Sequence, residues 1–152
     1  MNKSGIVSDF RNQLSAQYRR ILSGLKEATE AATGDDTKAE GKYDTRGLEA
    51  SYLAAGQAGQ ADELAEALAL FEAFEFPDFD FDDPVAPGAL VETNRSGESS
   101  WFLLTPSGGG LTCETEDGIV ITALGPSAPL REKLLGSVAG QSIDGISVLK
   151  VM

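Results

Sequence analysis

Asp35, Asp36 and Glu40 stand close together in the chain and offer the side chains best suited to chemistry. Carboxylate oxygens of this kind favour Mg²⁺, a hard cation that keeps several of its own waters. So few carboxylates without an enclosing cage bind such an ion weakly on their own. They suit the completion of a metal site supplied mostly by a partner, where the ion activates water or stabilises a phosphoryl transition state. Asp36 and Glu40 are the expected ligands of a shared Mg²⁺, with Asp35 beside them and Tyr43 and Asp44 in support. The same residues also have a purely local reading. Acids just before a helix start are favoured by the macrodipole at about 0.3–1 kcal/mol each. Glu40 further completes the capping-box spacing Thr37-Lys38-Ala39-Glu40.

Two helical stretches must present that turn. In the first, Ile6, Phe10, Leu14, Tyr18, Ile21, Leu25 and Ala28 recur at spacings of four and three, which defines one helical face. Gly34 follows Thr33 where a helix end favours a left-handed residue. The second stretch carries Leu48, Tyr52, Ala55, Ala61, Leu64, Leu68, Phe71 and Phe74 as its expected apolar face. Gly47, Gly56 and Gly59 weaken it by roughly 1 kcal/mol each relative to alanine, or let a second helix approach closely. Residues 1–75 are therefore expected to form an antiparallel helical hairpin, a coiled coil with its acidic tip at 34–44.

Prolines and alternating Phe and Asp make residues 76–87 an extended acidic linker. Asp78, Asp80 and Asp82 have the spacing of a calcium loop. Asp83 and Ala89 stand where such a loop needs glycine and glutamate, so a solvated linker is the better reading. From residue 88 to 152 short strand candidates alternate with turns: Ala89–Thr93, Trp101–Thr105, Leu111–Glu114, Ile119–Ala123 and Ile146–Val151. Asn94-Arg95-Ser96-Gly97 and Glu116-Asp117-Gly118 are hairpin signals, and Pro129–Leu135 reads as a short helix ended by Gly136. A small core is expected around Val91, Trp101, Leu103, Val120, Ile121, Leu134 and Val148. The fold class is α+β.

Charge and composition exclude several functions. Twenty-four acids against 12 bases give a formal charge of −12, which disfavours direct contact with nucleic-acid phosphates or anionic lipid. Residues 34–83 hold 14 acids and 3 bases, whereas residues 1–33 hold 3 acids and 5 bases. No histidine is present, so Ser-His and Cys-His pairs are impossible. The single Cys113 sits in a strand candidate and reads as a buried apolar thiol. Ser107-Gly108-Gly109-Gly110 lacks the Gly-Lys-Ser/Thr of a phosphate loop and reads as a turn. No enzyme activity and no cofactor of its own are expected. No apolar run is long enough to span a membrane and the N-terminus lacks a signal-peptide core, so a cytoplasmic location is expected.

The layout resembles the Gre-type transcript cleavage factors of bacterial RNA polymerase. Asp36-Thr37-Lys38-Ala39-Glu40-Gly41-Lys42-Tyr43 is similar to the family's tip pattern Asp-Leu-x-Glu-Asn-Ala-Glu-Tyr. Pro129-Leu130-Arg131-Glu132-Lys133-Leu134-Leu135-Gly136, continuing to Gly140, is similar to Pro-(Leu/Ile)-Gly-x-Ala-Leu-Leu-Gly-x-x-x-Gly-Asp. The resemblance implies an FKBP-like fold for residues 88–152. It also implies that the hairpin enters the polymerase secondary channel, where tip acids help hold a catalytic Mg²⁺ while the polymerase cuts backtracked RNA. Asp36 and Tyr43 match the family's aspartate and tyrosine. Ala39 stands at the glutamate position, so Glu40 or Asp35 must substitute, and neighbouring helical positions differ by about 100° in direction. In the second motif Arg131, Lys133 and Gln141 replace glycine, alanine and aspartate.

Two functions from different classes follow. One is a polymerase-binding elongation factor that modulates Mg-dependent cleavage or occludes the channel. The alternative is a coiled-coil module that self-associates through the small residues of Ala54–Ala61, with no polymerase role.

Overall fold

The computed structural model describes residues 1–33 and 46–152. Its elements run α1 (Lys3–Thr33), α2 (Arg46–Ala73), β1 (Leu90–Arg95), β2 (Glu98–Leu104), β3 (Thr112–Glu114), β4 (Val120–Leu124), α3 (Pro129–Leu134), β5 (Ser142–Ile143) and β6 (Ile146–Val151). The fold is α+β: an N-terminal pair of long helices, then a β-rich domain. By compactness the chain groups into Leu14–Glu66 and into Met1–Gln13 together with Ala67–Met152.

Asn2 starts α1 as its N-cap, its side-chain Oδ1 accepting from the Gly5 amide at 3.0 Å. The expected face is the observed one. Ile6, Phe10, Leu14 and Ala28 are buried, and Tyr18, Ile21 and Leu25 are half-buried. Within the helical group α1 and α2 run antiparallel. A side chain added at Gly24 would lie 3.1 Å from the Gln57 Nε2.

The apolar face expected for α2 needs correcting. Leu48, Tyr52 and Ala55 are exposed, Tyr52 to 69%. The inward side is instead Ala54, Ala58, Ala61, Leu64, Leu68 and Phe71. The reason is helical phase. Six residues separate Ala55 from Ala61, which at about 100° each places them about 120° apart around the helix rather than on one face. The glycine expectation also changes. Nothing lies within 4 Å of a Cβ built at Gly56 or Gly59, so neither admits a neighbour, and the glycine that meets the other helix is Gly24, against the Gln57 side chain.

The sheet has the order β3-β4-β2-β1-β6-β5. The β1–β2 hairpin turns at Ser96 and Gly97, whose φ of 54° and 90° match the mirror-image turns that suit strand twist. After β2 the chain returns along the edge as β3, then inserts β4 antiparallel to β3 and parallel to β2. α3 follows, and β6 then pairs antiparallel with β1, with a register shift at Glu92/Thr93. One face of the sheet gathers Val91, Leu104, Leu124, Val148 and Val151 around Leu134 of α3. Leu90, Leu103 and Ile121 point to the other face and are fully buried too, as are Phe10 and Phe71 in the same compact group.

Val120, expected in the core, is 54% exposed, and Trp101 is only half-buried. Ile121 takes the inward position, and strand alternation turns its neighbour out. The stretch 76–87 is more than a tether. Val85 is fully buried, its amide donating to the Ser137 carbonyl at 2.7 Å and its carbonyl accepting from Gly136 at 2.8 Å. Phe76 and Phe79 dock, Phe76 against the rings of Phe71 and Phe74, while Phe81 stays exposed. Asp83 is taken up locally, its Oδ2 accepting from the Asp80 amide at 2.8 Å.

Three side chains fasten the helices to the sheet. Lys3 Nζ donates to the Pro77 carbonyl and to the Met152 oxygen at 3.0 Å, at the end of β6. Gln13 Nε2 donates to the Thr112 carbonyl in β3 at 2.9 Å. Ser107 Oγ donates to the Ala67 carbonyl in α2. From Lys3 to Gln13 the helix advances about 15 Å. From β6 to β3 the sheet extends four strand spacings, about 19 Å. The first turns of α1 therefore cross nearly the whole sheet.

Candidate functional site

Asp35, Asp36, Glu40, Tyr43 and Asp44 all lie outside the described residues. α1 ends at Thr33 and α2 begins at Arg46. Because the two helices pair antiparallel, with Gly24 beside Gln57, those ends belong to the same end of the pair. The segment 34–45 is thus joined at both sides to one end of a helical support. Among the described residues no group of three or more Cys, Asp or Glu could hold a metal ion.

The second motif is fully described, and each of its departures from the family pattern has a physical account. Pro129 occupies the first turn of α3, where its missing N–H costs nothing. Gly136 and Gly140 have φ of 79° and 87°, left-handed values that a side chain resists, so both motif glycines are structurally required. Arg131, at a glycine of the family pattern, is 8% exposed and donates from Nη1 to the carbonyls of Thr105 and Leu124. It satisfies two chain ends of adjacent strands, and burial pushes its guanidinium below its usual range. Lys133, at the alanine, forms an ion pair of 2.9 Å with Asp144 in solvent. Gln141, at the aspartate, accepts from the Val138 amide at 3.1 Å through Oε1.

Sequence reasoning missed the roles of Arg131 and Lys3. Both are charged residues that the structure buries, and nothing in their spacing announces it. Lys3 also lies 4.9 Å from the Phe79 ring centre, and burial lowers its pKa from 10.5 against the opposing pull of Asp78. Cys113 is buried as expected. Burial and then the nearby Asp9 charge both raise its pKa, which keeps it a thiol and a poor nucleophile.

No protein-family model matches the chain, and no curated protein matches it either. Among solved structures, one similar chain is the GreA factor homolog 1 (Gfh1) protein of Thermus thermophilus. The two are 18% identical over 93% of this chain and 94% of that one, with a TM-score of 0.38. Thermus aquaticus Gfh1 is 17% identical over 92% of each chain, with a TM-score of 0.36. A third structure, described as the transcription factor Gfh1, is 19% identical over 93% of this chain and 92% of that one, also at 0.36. At such low identity and superposition, no activity or partner passes from these proteins to this chain.

Proposed function

We propose that this chain is an accessory factor of bacterial RNA polymerase that inserts its helical pair into the secondary channel. There it modulates Mg²⁺-dependent cleavage of backtracked RNA or occludes the channel. The observation that carries the reading is the antiparallel pairing of α1 and α2, which joins the acid-bearing segment 34–45 to one end of a long support. The Pro129–Gly140 motif adds to it, since both its glycines adopt conformations that need glycine. The factor has no catalytic machinery of its own and lends Asp36 and Glu40, with Asp35 adjacent, to an ion held mainly by the polymerase.

The test uses a stalled elongation complex, Mg²⁺, the full chain and the double variant Asp36→Ala/Glu40→Ala. A change in RNA shortening caused by the wild type and abolished in the variant supports the tip role. Equal shortening with both proteins removes it. Ala39→Glu then separates the two modes, because restoring the family's glutamate turns an occluding factor toward stimulation.

Self-association through Ala54–Ala61 is less favoured. Ala54, Ala58 and Ala61 face inward on α2, and Gln57 is already against Gly24 of α1. Sedimentation at several concentrations checks it.

A further inference from the structure

A cleft of about 610 Å³ opens in the β-rich group between the start of α1 and the sheet. Its size falls within the range of about 300–1,000 Å³ typical of ligand pockets. Ile6, Trp101 and Ile119 give it apolar walls, and Cys113 lies among them. Its lining also includes Asp9 of α1, Glu114 at the end of β3, and Glu116 and Asp117 of the β3–β4 turn, all exposed. Lys150 supplies one opposing charge. Among the described residues none of those four carboxylates forms an ion pair. An apolar groove with unneutralised acids around it has a sign preference. It attracts a cation, and the low dielectric of its walls strengthens the attraction.

We infer that this cleft docks a cationic amphipathic segment of a protein partner, its apolar side chains against Ile6 and Ile119 and an arginine or lysine over Trp101. An indole face holds a guanidinium or ammonium better than other rings do, and carboxylates beside it complete the charge match. A second copy of the chain is a poor occupant, since each copy carries a formal charge of −12. The inference does not depend on the polymerase reading, because it uses none of residues 34–45.

Trp101 is the chain's single tryptophan, so its emission reports on the cleft without labelling. The full chain is titrated with a synthetic peptide alternating leucine and arginine, and with the same peptide carrying glutamate for arginine. The expected result is a saturable Trp101 emission shift with the arginine peptide alone, weakening as salt rises beyond about 0.15 M. Glu116→Gln/Asp117→Asn, and separately Asp9→Asn, keep the wild-type circular dichroism and bind the peptide about tenfold more weakly. The tip variant Asp36→Ala/Glu40→Ala binds it as the wild type does. No emission change up to about 1 mM peptide overturns the inference. So does an equal shift with the glutamate peptide, or undiminished binding in the charge variants. A dimer in sedimentation that the peptide dissolves would give the cleft to a second copy and overturn it as well.

Discussion

Arg131 Nη1 stands 2.9 Å from the main-chain oxygen of Leu124, the last residue of β4, and donates to the Thr105 oxygen from the same nitrogen. A charge that is nearly fully buried thereby joins α3 to the ends of β2 and β4. Hydrogen bonds from a charged donor contribute about 1.5–3 kcal/mol each. Although the Leu124 oxygen keeps the Thr105 amide at 3.0 Å, losing the pair leaves the buried Thr105 oxygen without its donor. Arg131→Met should lower unfolding stability by about 2–4 kcal/mol, read as a reduced urea midpoint at unchanged slope. Arg131→Lys should recover only part of it, since an ammonium lacks the planar fork.

Thr105 itself carries an imbalance. It is fully buried, its carbonyl accepts from Arg131, and its Oγ1 has no hydrogen-bond partner. An orphaned buried hydroxyl costs about 1–3 kcal/mol. Thr105→Val, nearly the same shape, should therefore stabilise by about 1 kcal/mol in the same melts. A loss of stability would show that the hydroxyl is satisfied in solution.

Lys3 gives a pH signature with a definite sign. Burial lowers its folded-state pKa below 10.5, so between the two values the unfolded chain holds more proton on this group than the folded chain. Stability then rises with pH across that window. The difference in unfolding free energy between wild type and Lys3→Met should grow as pH climbs toward 10.5 and level off above it. A difference flat across that range would place the ammonium in water.

The helix glycines separate cleanly. Gly56→Ala and Gly59→Ala on α2 meet nothing within 4 Å, so each should raise stability by about 1 kcal/mol through helix propensity alone. Thermal midpoints of the two single variants and the double variant, which should add, check this.

Gly109 behaves oppositely. A Cβ there would lie 3.0 Å from the amide nitrogen of Gly125 and 3.1 Å from its Cα, and backbone cannot swing aside as a side chain can. Gly109→Ala should cost about 2 kcal/mol, measured by urea unfolding.

The extent to which sequence foretold this structure depends on how local each signal was. Ile146–Val151 coincides with β6, and the turn at Ser96-Gly97 and the stop of α3 near Gly136 fell where local chemistry put them. β5, only Ser142 and Ile143, is held by pairing with β6 and leaves no pattern of its own. Val120 and Ile121 are equally apolar neighbours, and only the register of the sheet decides which one faces in. Leu48 and Tyr52 misled because an apolar stripe was joined across a break in helical phase. Lys3 and Arg131 were opaque for a further reason: their partners are main-chain oxygens, which no side-chain pattern encodes. The tip acids Asp35, Asp36 and Glu40 lie outside the described residues.

The tie between Lys3 and the Met152 oxygen spans 149 positions in sequence. Contacts so distant along the polypeptide form late, because loop closure must be paid for before they reward it. On a translating ribosome the opening turn of α1 emerges well before β6 and waits for that strand before it can settle. The helices can zip together early, while the sheet stays without its cross-member until β6 is in place. The docking of α1 on the sheet is thus timed by β6.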